Sequence, residues 1–258
     1  TETITDKKFD QLLVPGLLIE VEGQKPIAID LRSSKQFFKP YNIVKELPEI
    51  DIEASFNAAE ALLEYKIVQA IYLMNRTARP SIAYLVGNGE PLDYTVNDLG
   101  QSIKNQYNLG VFDLKKGFPD ASKINTLLIV KPTMRFSELD QLKIDQYILS
   151  GGNVIWALDP LYAEYDSLRN TAGAYLAFDR GLGLETQLFK YGARVNPNLV
   201  QDLNCAKLPM VVGVDAAGAP TIQRVPWPYY PFAQAGSEHP MVQNMDRVLT
   251  AFPASIDT

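Results

Sequence analysis

The stretch LSGGNVIWALDP, residues 149–160, joins a helical pattern to a strand pattern through two adjacent glycines. Gly151 and Gly152 predict the end of the preceding helix, because glycine tolerates the left-handed conformation found at helix ends. The apolar run NVIWAL that follows predicts a buried strand, with Trp156 largely enclosed. Asp159 would then stand at the carboxyl end of that strand.

Similar units precede this stretch. The runs SIAYLV, GVFDL and TLLIV each predict a strand. A helix with Thr95 and Asp98 at capping-box positions is predicted after the first run, and a helix from Ser137 to Ser150, with Asp140 as partner of its cap, after the third. Alternating strands and helices predict an α/β fold in which a parallel sheet is covered on both faces.

The two ends of the chain have residue patterns that differ from those of the central part. Val14 to Arg32 predicts a hairpin, and Phe56 to Arg76 has apolar residues at helical spacing. After Gly192 the pattern changes to short strand-like pieces. We expect a β-rich segment over 1–55, an α/β core over 56–191 and a β-rich extension over 192–258, with the extension packing against the N-terminal hairpin.

Composition excludes several classes of protein. The chain has 258 residues, 47% of them hydrophobic, a net charge of -6 and a pI of about 4.9. An acidic chain without a cluster of Lys and Arg is poorly suited to bind a nucleic acid backbone. No apolar run approaches the roughly 18–20 residues of a membrane span.

Catalytic and metal-binding signatures are weak. Cys205 is the only cysteine and His239 the only histidine, and both lie in the irregular tail. The sequence contains no G-x-S-x-G or G-x-C-x-G elbow for a nucleophile and no GK[ST] loop for a nucleotide. The sequence therefore predicts no catalytic residues, no metal site and no cofactor.

The carboxyl ends of the predicted strands carry the polar residues of greatest interest. Ligands of open parallel sheets bind beyond these ends. Gly87, Asn88, Gly89 and Glu90 follow the first strand, and Asp159 follows the last. One interpretation is a pocket with Glu90 and Asp159 as paired carboxylates, and the other is that both sequences form turns.

The stretch PWPYYPF, residues 226–232, places four aromatic residues among three prolines. Trp227, Tyr229 and Tyr230 could anchor a partner protein, since aromatic side chains are enriched at interfaces. They could equally cover the edge of a sheet within the domain.

Several of these stretches, in the same order, resemble the GldG family. They are VPGLLIEVEG, GNGEP, LIVKPTMRFSELDQLKIDQYILSGGNVIWALDP, LFKYGARVNPNLVQDLNC, VPWPYYPF, EHPMVQNMD and ASIDT. The resemblance extends from about Val14 to Thr258. Members of this family are gliding-motility-associated auxiliary components of ABC-type transporters in Bacteroidetes.

The resemblance implies a domain on the periplasmic side of the inner membrane, anchored by segments outside this sequence. It implies partnership with a permease subunit and, indirectly, with an ATPase subunit. It also implies a three-layer core similar to flavodoxin or glutamine amidotransferases, as in an intraflagellar transport protein.

The glycine loop departs from the pattern of the family. Where members often have Gly-His-Gly-Glu, this chain has Asn88 in place of the histidine, and so lacks the group that titrates near neutral pH. The function we expect is therefore a non-enzymatic scaffolding domain. The alternatives are an amidotransferase-like enzyme, or a sugar- or peptide-binding receptor that uses the carboxyl edge of the sheet.

Overall fold

The computed structural model describes residues 15–23, 25–32, 50–165, 175–214, 218–234, 236, 242 and 247–258. The strands in this part of the chain are β1 Gly16–Ile19, β2 Ile27–Asp30, β3 Ser81–Val86, β4 Asn108–Asp113, β5 Thr126–Val130, β6 Asn153–Ala157, β7 Leu161–Tyr162, β8 Phe178–Asp179, β9 Arg194–Val195, β10 Cys205–Val214, β11 Pro220–Ala233, β12 Val248–Leu249 and β13 Ile256–Asp257. The α-helices are α1 Ile52–Ala61, α2 Leu63–Asn75, α3 Asn97–Lys104, α4 Glu138–Leu149 and α5 Glu185–Lys190.

The chain divides into two compact units, Thr1–Arg79 and Pro80–Thr258. In the first unit β1 pairs with β2 in an antiparallel hairpin. The single helix predicted from Phe56 to Arg76 is wrong in its bounds, because the helical segment begins at Ile52 and is interrupted at Leu62.

The second unit contains the predicted parallel sheet. Its strand order is β4-β3-β5-β6, and all three neighbouring pairs are parallel. The runs SIAYLV, TLLIV and NVIWAL are therefore neighbouring parallel strands, as their patterns predict. Because β4 lies on one side of β3 and β5 on the other, the strand order reverses direction between β3 and β5.

Alternate residues of the central strands enter two apolar clusters. On one face, Leu85 and Leu127 pack with Ile144 and Tyr147 of α4 and with Leu188 of α5. On the other face the buried residues are Ile82, Tyr84 and Leu128, and Ile103 of α3 packs against them. Side chains of a strand alternate between its two faces, so both clusters follow from one continuous apolar run per strand.

The prediction that NVIWAL is a buried strand is wrong. β6 lies at the edge of the sheet, and its burial alternates along the strand. Ile155 is 53% exposed, whereas Val154 and Trp156 are partly buried against the larger cluster. Trp156 is therefore half-buried, because β6 has a neighbouring strand on one side only in the part of the chain that the structure describes.

The start of α3 also differs from the prediction. Thr95 and Asp98 form no capping box. Instead, Asp93 Oδ1 accepts hydrogen bonds from the backbone N–H and the hydroxyl of Thr95, and a short 3-10 helix, Tyr94–Val96, precedes α3. Asp93 occurs two residues before Thr95, the spacing at which an Asp side chain turns the backbone locally.

The predicted capping of α4 is confirmed. The Ser137 hydroxyl and the Asp140 carboxylate exchange hydrogen bonds with each other's backbone N–H. The helix ends before Gly151, whose φ of +90° is the left-handed conformation. Gly152 then passes beneath the ring of Tyr147, which is 1% exposed and donates its hydroxyl hydrogen to the Ile124 carbonyl.

The C-terminal part of this unit is rich in β structure. β10, β11 and β12 form an antiparallel sheet in which the prolines of PWPYYPF are incorporated into β11. Two small antiparallel pairs, β7 with β8 and β9 with β13, complete the sheets of the described residues. In these same residues, no helix has both the length and the apolar character to cross a membrane.

Replacement of Gly152 tests the packing that ends α4. A Cβ at Gly152 would lie 2.2 Å from Cζ of Tyr147, a ring that cannot move without losing its buried hydrogen bond. We expect Gly152→Ala to lower the free energy of unfolding by about 1–3 kcal/mol, as overpacking does. Urea denaturation followed by circular dichroism measures this change.

Gly110→Ala is the matched control, because no atom lies within 4 Å of a Cβ at that position in β4. We expect the control to unfold like the wild type. Equal stability of all three proteins would contradict the close approach of Gly152 and Tyr147.

Candidate functional site

The glycine loop, Gly87 to Glu90, follows β3 and is shaped by two positive φ angles. Gly87 has a φ of +123° and Gly89 a φ of +79°. A Cβ at Gly89 would lie 2.1 Å from Oγ1 of Thr133. Both glycines are thus required by conformation, and the second also by the close approach of the segment that follows β5.

Asn88 joins the carboxyl ends of β3 and β5. Its carbonyl accepts hydrogen bonds from the backbone N–H groups of Thr133 and Met134, at 3.0 and 2.9 Å. Its side-chain Nδ2 donates to the Arg135 carbonyl at 3.1 Å, and the Thr133 hydroxyl donates to the Gly89 carbonyl at 3.0 Å. Asn88 is 0% exposed, so the chain itself fills the space beyond the two central strands.

Glu90 is held within the same loop. Its Oε2 accepts the backbone N–H of Asn88 at 2.7 Å, and the residue is 8% exposed. Burial raises the pKa of the Glu90 carboxyl, although hydrogen bonds from the backbone and the nearby Lys115 ammonium oppose this shift. The second oxygen, Oε1, and Oδ1 of Asn88 are buried without a hydrogen-bond partner among the described residues. This environment favours the neutral acid.

Lys115 and Asp140 form a charge pair beside the glycine loop. Nζ of Lys115 lies 2.5 Å from Oδ2 of Asp140, whose side chain is 3% exposed. Although burial alone would raise the pKa of Asp140, its hydrogen bonds from Lys115 and Ser137 lower it. The pair fixes the turn after β4 to the start of α4. Sequence reasoning identified Asp140 as a cap but missed Lys115, whose partner is 25 residues distant along the chain.

A pocket of about 500 Å³ opens beyond the ends of β5 and β6. Its walls are largely apolar, with Trp156, Leu188, Val195 and Ile256 among them. Lys131 and Asp159 are its two charged residues. A concave, mostly apolar surface with a few polar groups is typical of a binding site.

Asp159 is the carboxylate of this pocket. Burial raises its pKa, while Lys131 and Arg180 oppose the shift. Both cations are directed elsewhere, since Nζ of Lys131 lies 3.2 Å and NH2 of Arg180 3.8 Å from Oε1 of Glu164. Among the described residues no hydrogen bond reaches the Asp159 side chain. Asp159 is therefore a half-buried hydrogen-bond acceptor. Its charged form is stabilised by Lys131 and Arg180, which do not bond to it directly.

The structure separates residues that the sequence pattern groups together. Asp159 lines the pocket, whereas no residue of the glycine loop does. Asn88 and Gly89 pack the loop against the segment after β5, whereas the Glu90 carboxylate bonds within the loop. The two carboxylates thus occupy different environments, since Asp159 lines the pocket and Glu90 is held inside its own loop.

The aromatic residues of β11 contact one another. The Trp227 ring lies 5.7 Å from that of Tyr229, between their centroids, and Tyr229 and Tyr230 both pack against Phe252. Tyr165 meets the edge of Trp227 at 6.1 Å. All three predicted anchors are half-buried, so part of each ring packs within the unit and part faces solvent.

Cys205 is half-buried at the start of β10, and His239 lies outside the described residues. Within those residues, no group of three or more His, Cys, Asp or Glu side chains could hold a metal ion.

Comparison with known proteins identifies the family. A family model described as an ABC-type uncharacterized transport system, and named for its auxiliary component, matches residues 79–258. The chain belongs to this family. As a member of the ABC-type transport auxiliary family, it is an auxiliary component of an ABC-type transport system.

Other comparisons add little to that assignment. No curated protein matches the chain. Among solved structures, the mmIFT52 N-terminal domain is 11% identical, with a TM-score of 0.43 and coverage of 69% of this chain and 68% of that one. The exo-β-1,4-mannosidase Op5Man5 from Opitutaceae bacterium strain TAV5 is also 11% identical, with a TM-score of 0.28 and coverage of 64% and 26%.

Glu90→Gln tests the raised pKa of the buried carboxyl. The pKa of Glu90 is raised above its ordinary value of 4.5 in the folded protein. The neutral carboxyl therefore adds to the free energy of unfolding in full below pH 4.5. This contribution is lost as the pH rises through the raised pKa. Gln keeps an acceptor for the Asn88 N–H and never ionises. We therefore expect Glu90→Gln to be more stable than the wild type at pH 7–8 by about 1 kcal/mol.

The difference should vanish near pH 4, where wild-type Glu90 is neutral as well. Urea denaturation across this pH range measures it, with Glu185→Gln, an exposed residue in the first turn of α5, as the control. A mutant less stable than the wild type at pH 7–8 would show instead that Glu90 acts there as a carboxylate.

Proposed function

We propose that this chain is a non-enzymatic scaffolding domain of an ABC-type transporter linked to gliding motility. Membership of the transport auxiliary family over residues 79–258 carries the proposal. The resemblance to the GldG family supports the link to gliding motility. The domain contacts the permease subunit and, through it, the ATPase that supplies energy.

The closed glycine loop supports a role in binding over a role in catalysis. An acid or base must reach the proton it transfers, and Glu90 is buried and bonded to the Asn88 N–H of its own loop. Asn88, the position at which family members often have histidine, gives both its carbonyl and its Nδ2 to hold that segment. The loop is thus a structural joint between β3 and β5.

The sheet supports a flavodoxin-like core as the finer description of the fold. Within the parallel sheet the order β4-β3-β5-β6 is second, first, third, fourth strand, which is the beginning of the flavodoxin order. Apolar clusters on both faces, one with α4 and α5 and the other with α3, support three layers.

The domain works on the periplasmic side of the inner membrane and is held there by anchors outside this sequence. That placement rests on the resemblance to the GldG family. Trp227, Tyr229 and Tyr230 are proposed contacts with the transporter, because each residue on β11 is partly exposed and rigid aromatic side chains are favoured anchors of interfaces.

Affinity capture from membranes tests both the function and the surface. The full-length protein is purified with the proteins that it retains, and these are identified by mass spectrometry. We expect the wild type to retain the permease and the ATPase. We expect the folded Trp227→Ala/Tyr229→Ala variant to retain at least about tenfold less, because aromatic anchors carry a large share of binding energy.

Tyr94→Ala is the control, because Tyr94 is 87% exposed and lies far along the chain from β11. It should retain the same subunits as the wild type. Undiminished retention by the folded double variant would remove the aromatic residues from the interface. Failure of the wild type to retain either subunit would overturn the proposed function itself.

A further inference from the structure

One edge of the parallel sheet is open in the described part of the chain. Among the described residues, β6 pairs with β5 alone. Asn153 donates its N–H to Asn125, and Ala157 accepts from Lys131, so residues 153, 155 and 157 direct their backbone groups toward β5. The backbone groups of Val154 and Trp156 point the opposite way, where no described residue bonds to them.

This edge lacks the features that usually prevent strand addition. Proteins protect such edges with Lys, Pro, bulges or very short strands. β6 has five residues, reads Asn-Val-Ile-Trp-Ala, and its register with β5 is regular throughout. Ile155 is 53% exposed on it. The edge therefore offers both hydrogen bonds and apolar surface.

The pocket continues from this edge. Trp156 and Ala157 of β6 line it, followed by Leu158 and Asp159. A strand added along β6 would direct alternate side chains to the face of Val154 and Trp156, which is the face of the apolar pocket walls. The volume of about 500 Å³ is sufficient for more than one side chain.

Asp159 gives the pocket one carboxylate for a basic residue of the occupant, beside the cation Lys131. Glu164 pairs directly with Lys131 and Arg180, so these two cations act on Asp159 only at longer range, and Asp159 has no direct partner among the described residues. The chain as a whole carries a net charge of -6, which attracts a basic partner from a distance.

We propose that β6 binds an extended, apolar peptide segment of a partner protein as an added strand, with an apolar side chain in the pocket and a Lys or Arg side chain on Asp159. The proposal deepens the proposed function, since it gives the chemistry of one partner contact. β-strand addition takes its affinity from main-chain hydrogen bonds and its specificity from pockets for alternate side chains.

Hydrogen exchange of the free 258-residue chain is the first test. The amides of Val154 and Trp156 should exchange fast, and those of Ile155 and Ala157 slowly, because only the latter two are bonded to β5. NMR of exchange at individual amides distinguishes them. Slow exchange at Val154 and Trp156 in the free chain would mean that its own residues cover the edge, and would overturn the proposal.

The second test adds a library of blocked peptides of about six residues. Their residues alternate between Thr and an apolar residue, every apolar residue is tried at each apolar position, and the final residue is Lys, norleucine or Glu. We expect members ending in Lys to bind best and to slow exchange at Val154 and Trp156. If no member slows these two amides, or if members ending in Glu bind best, the proposal is wrong.

Two variants separate the contribution of main-chain hydrogen bonds to peptide binding from the contribution of the Asp159 charge. Val154→Pro removes one outward N–H and leaves the bonds to β5 in place, and should weaken binding by at least about tenfold. Val154→Ala is the matched comparison, because it also removes the valine side chain but keeps the outward N–H, and it should bind more tightly than Val154→Pro. Asp159→Asn should weaken peptides ending in Lys by about tenfold and leave those ending in norleucine unchanged.

If Val154→Pro does not fold, the Asp159→Asn variant still tests the proposal. Equal losses of affinity for the Lys and norleucine peptides would contradict a contact between the peptide's Lys and Asp159. These experiments use only the isolated chain and synthetic peptides. Their failure is thus distinguishable from a failure to retain transporter subunits from membranes.

Discussion

The buried peptide carbonyl of Asn88 is the constraint on which the architecture of the candidate site depends. A buried carbonyl without hydrogen bonds costs about 1–3 kcal/mol, and Asn88 avoids that cost by accepting from Thr133 and Met134. The segment after β5 must therefore fold over the end of β3. The strand order reverses at this position, where open α/β sheets commonly bind ligands, and here the protein occupies it with its own backbone. Further along the carboxyl edge, beside β6, the pocket that contains Asp159 stays open.

This closure accounts for the chemistry of the glycine loop. Gly89 brings Thr133 close, because a side chain at that position would overlap its hydroxyl. Glu90 then becomes an internal acceptor for the Asn88 N–H, and its burial favours the neutral form. Sequence features that suggest acid–base chemistry thus serve the packing of two loops. Asp159, one strand away from β5, keeps access to a cavity because β6 has no further strand to fold over it among the described residues.

The sequence predicts the elements better than their positions in the sheet. SIAYLV and TLLIV are recognisable because central strands are apolar on both faces, and the α4 cap because its residues lie three apart. NVIWAL has an equally apolar pattern, yet β6 is an edge strand, since strand order is a property of the whole chain. The pocket could not be predicted from the sequence for the same reason, because Trp156, Leu188 and Ile256 line it together although they span about a hundred residues of sequence. The Asp93 cap, by contrast, depends on a two-residue spacing that could have been recognised.

If the domain acts by binding a partner, as proposed, an open strand edge is suited to that role. Main-chain hydrogen bonds form with any extended segment, so they supply affinity with little dependence on sequence. Selectivity must then come from the pocket and from Asp159, whose charge is weakened by burial unless a cation joins it. Burial raises the pKa of Asp159 against the opposing charges of Lys131 and Arg180, and a basic side chain beside it would gain most where water is excluded. The apolar sequence of β6, a liability on an uncovered edge, is explained if covering that edge is the function.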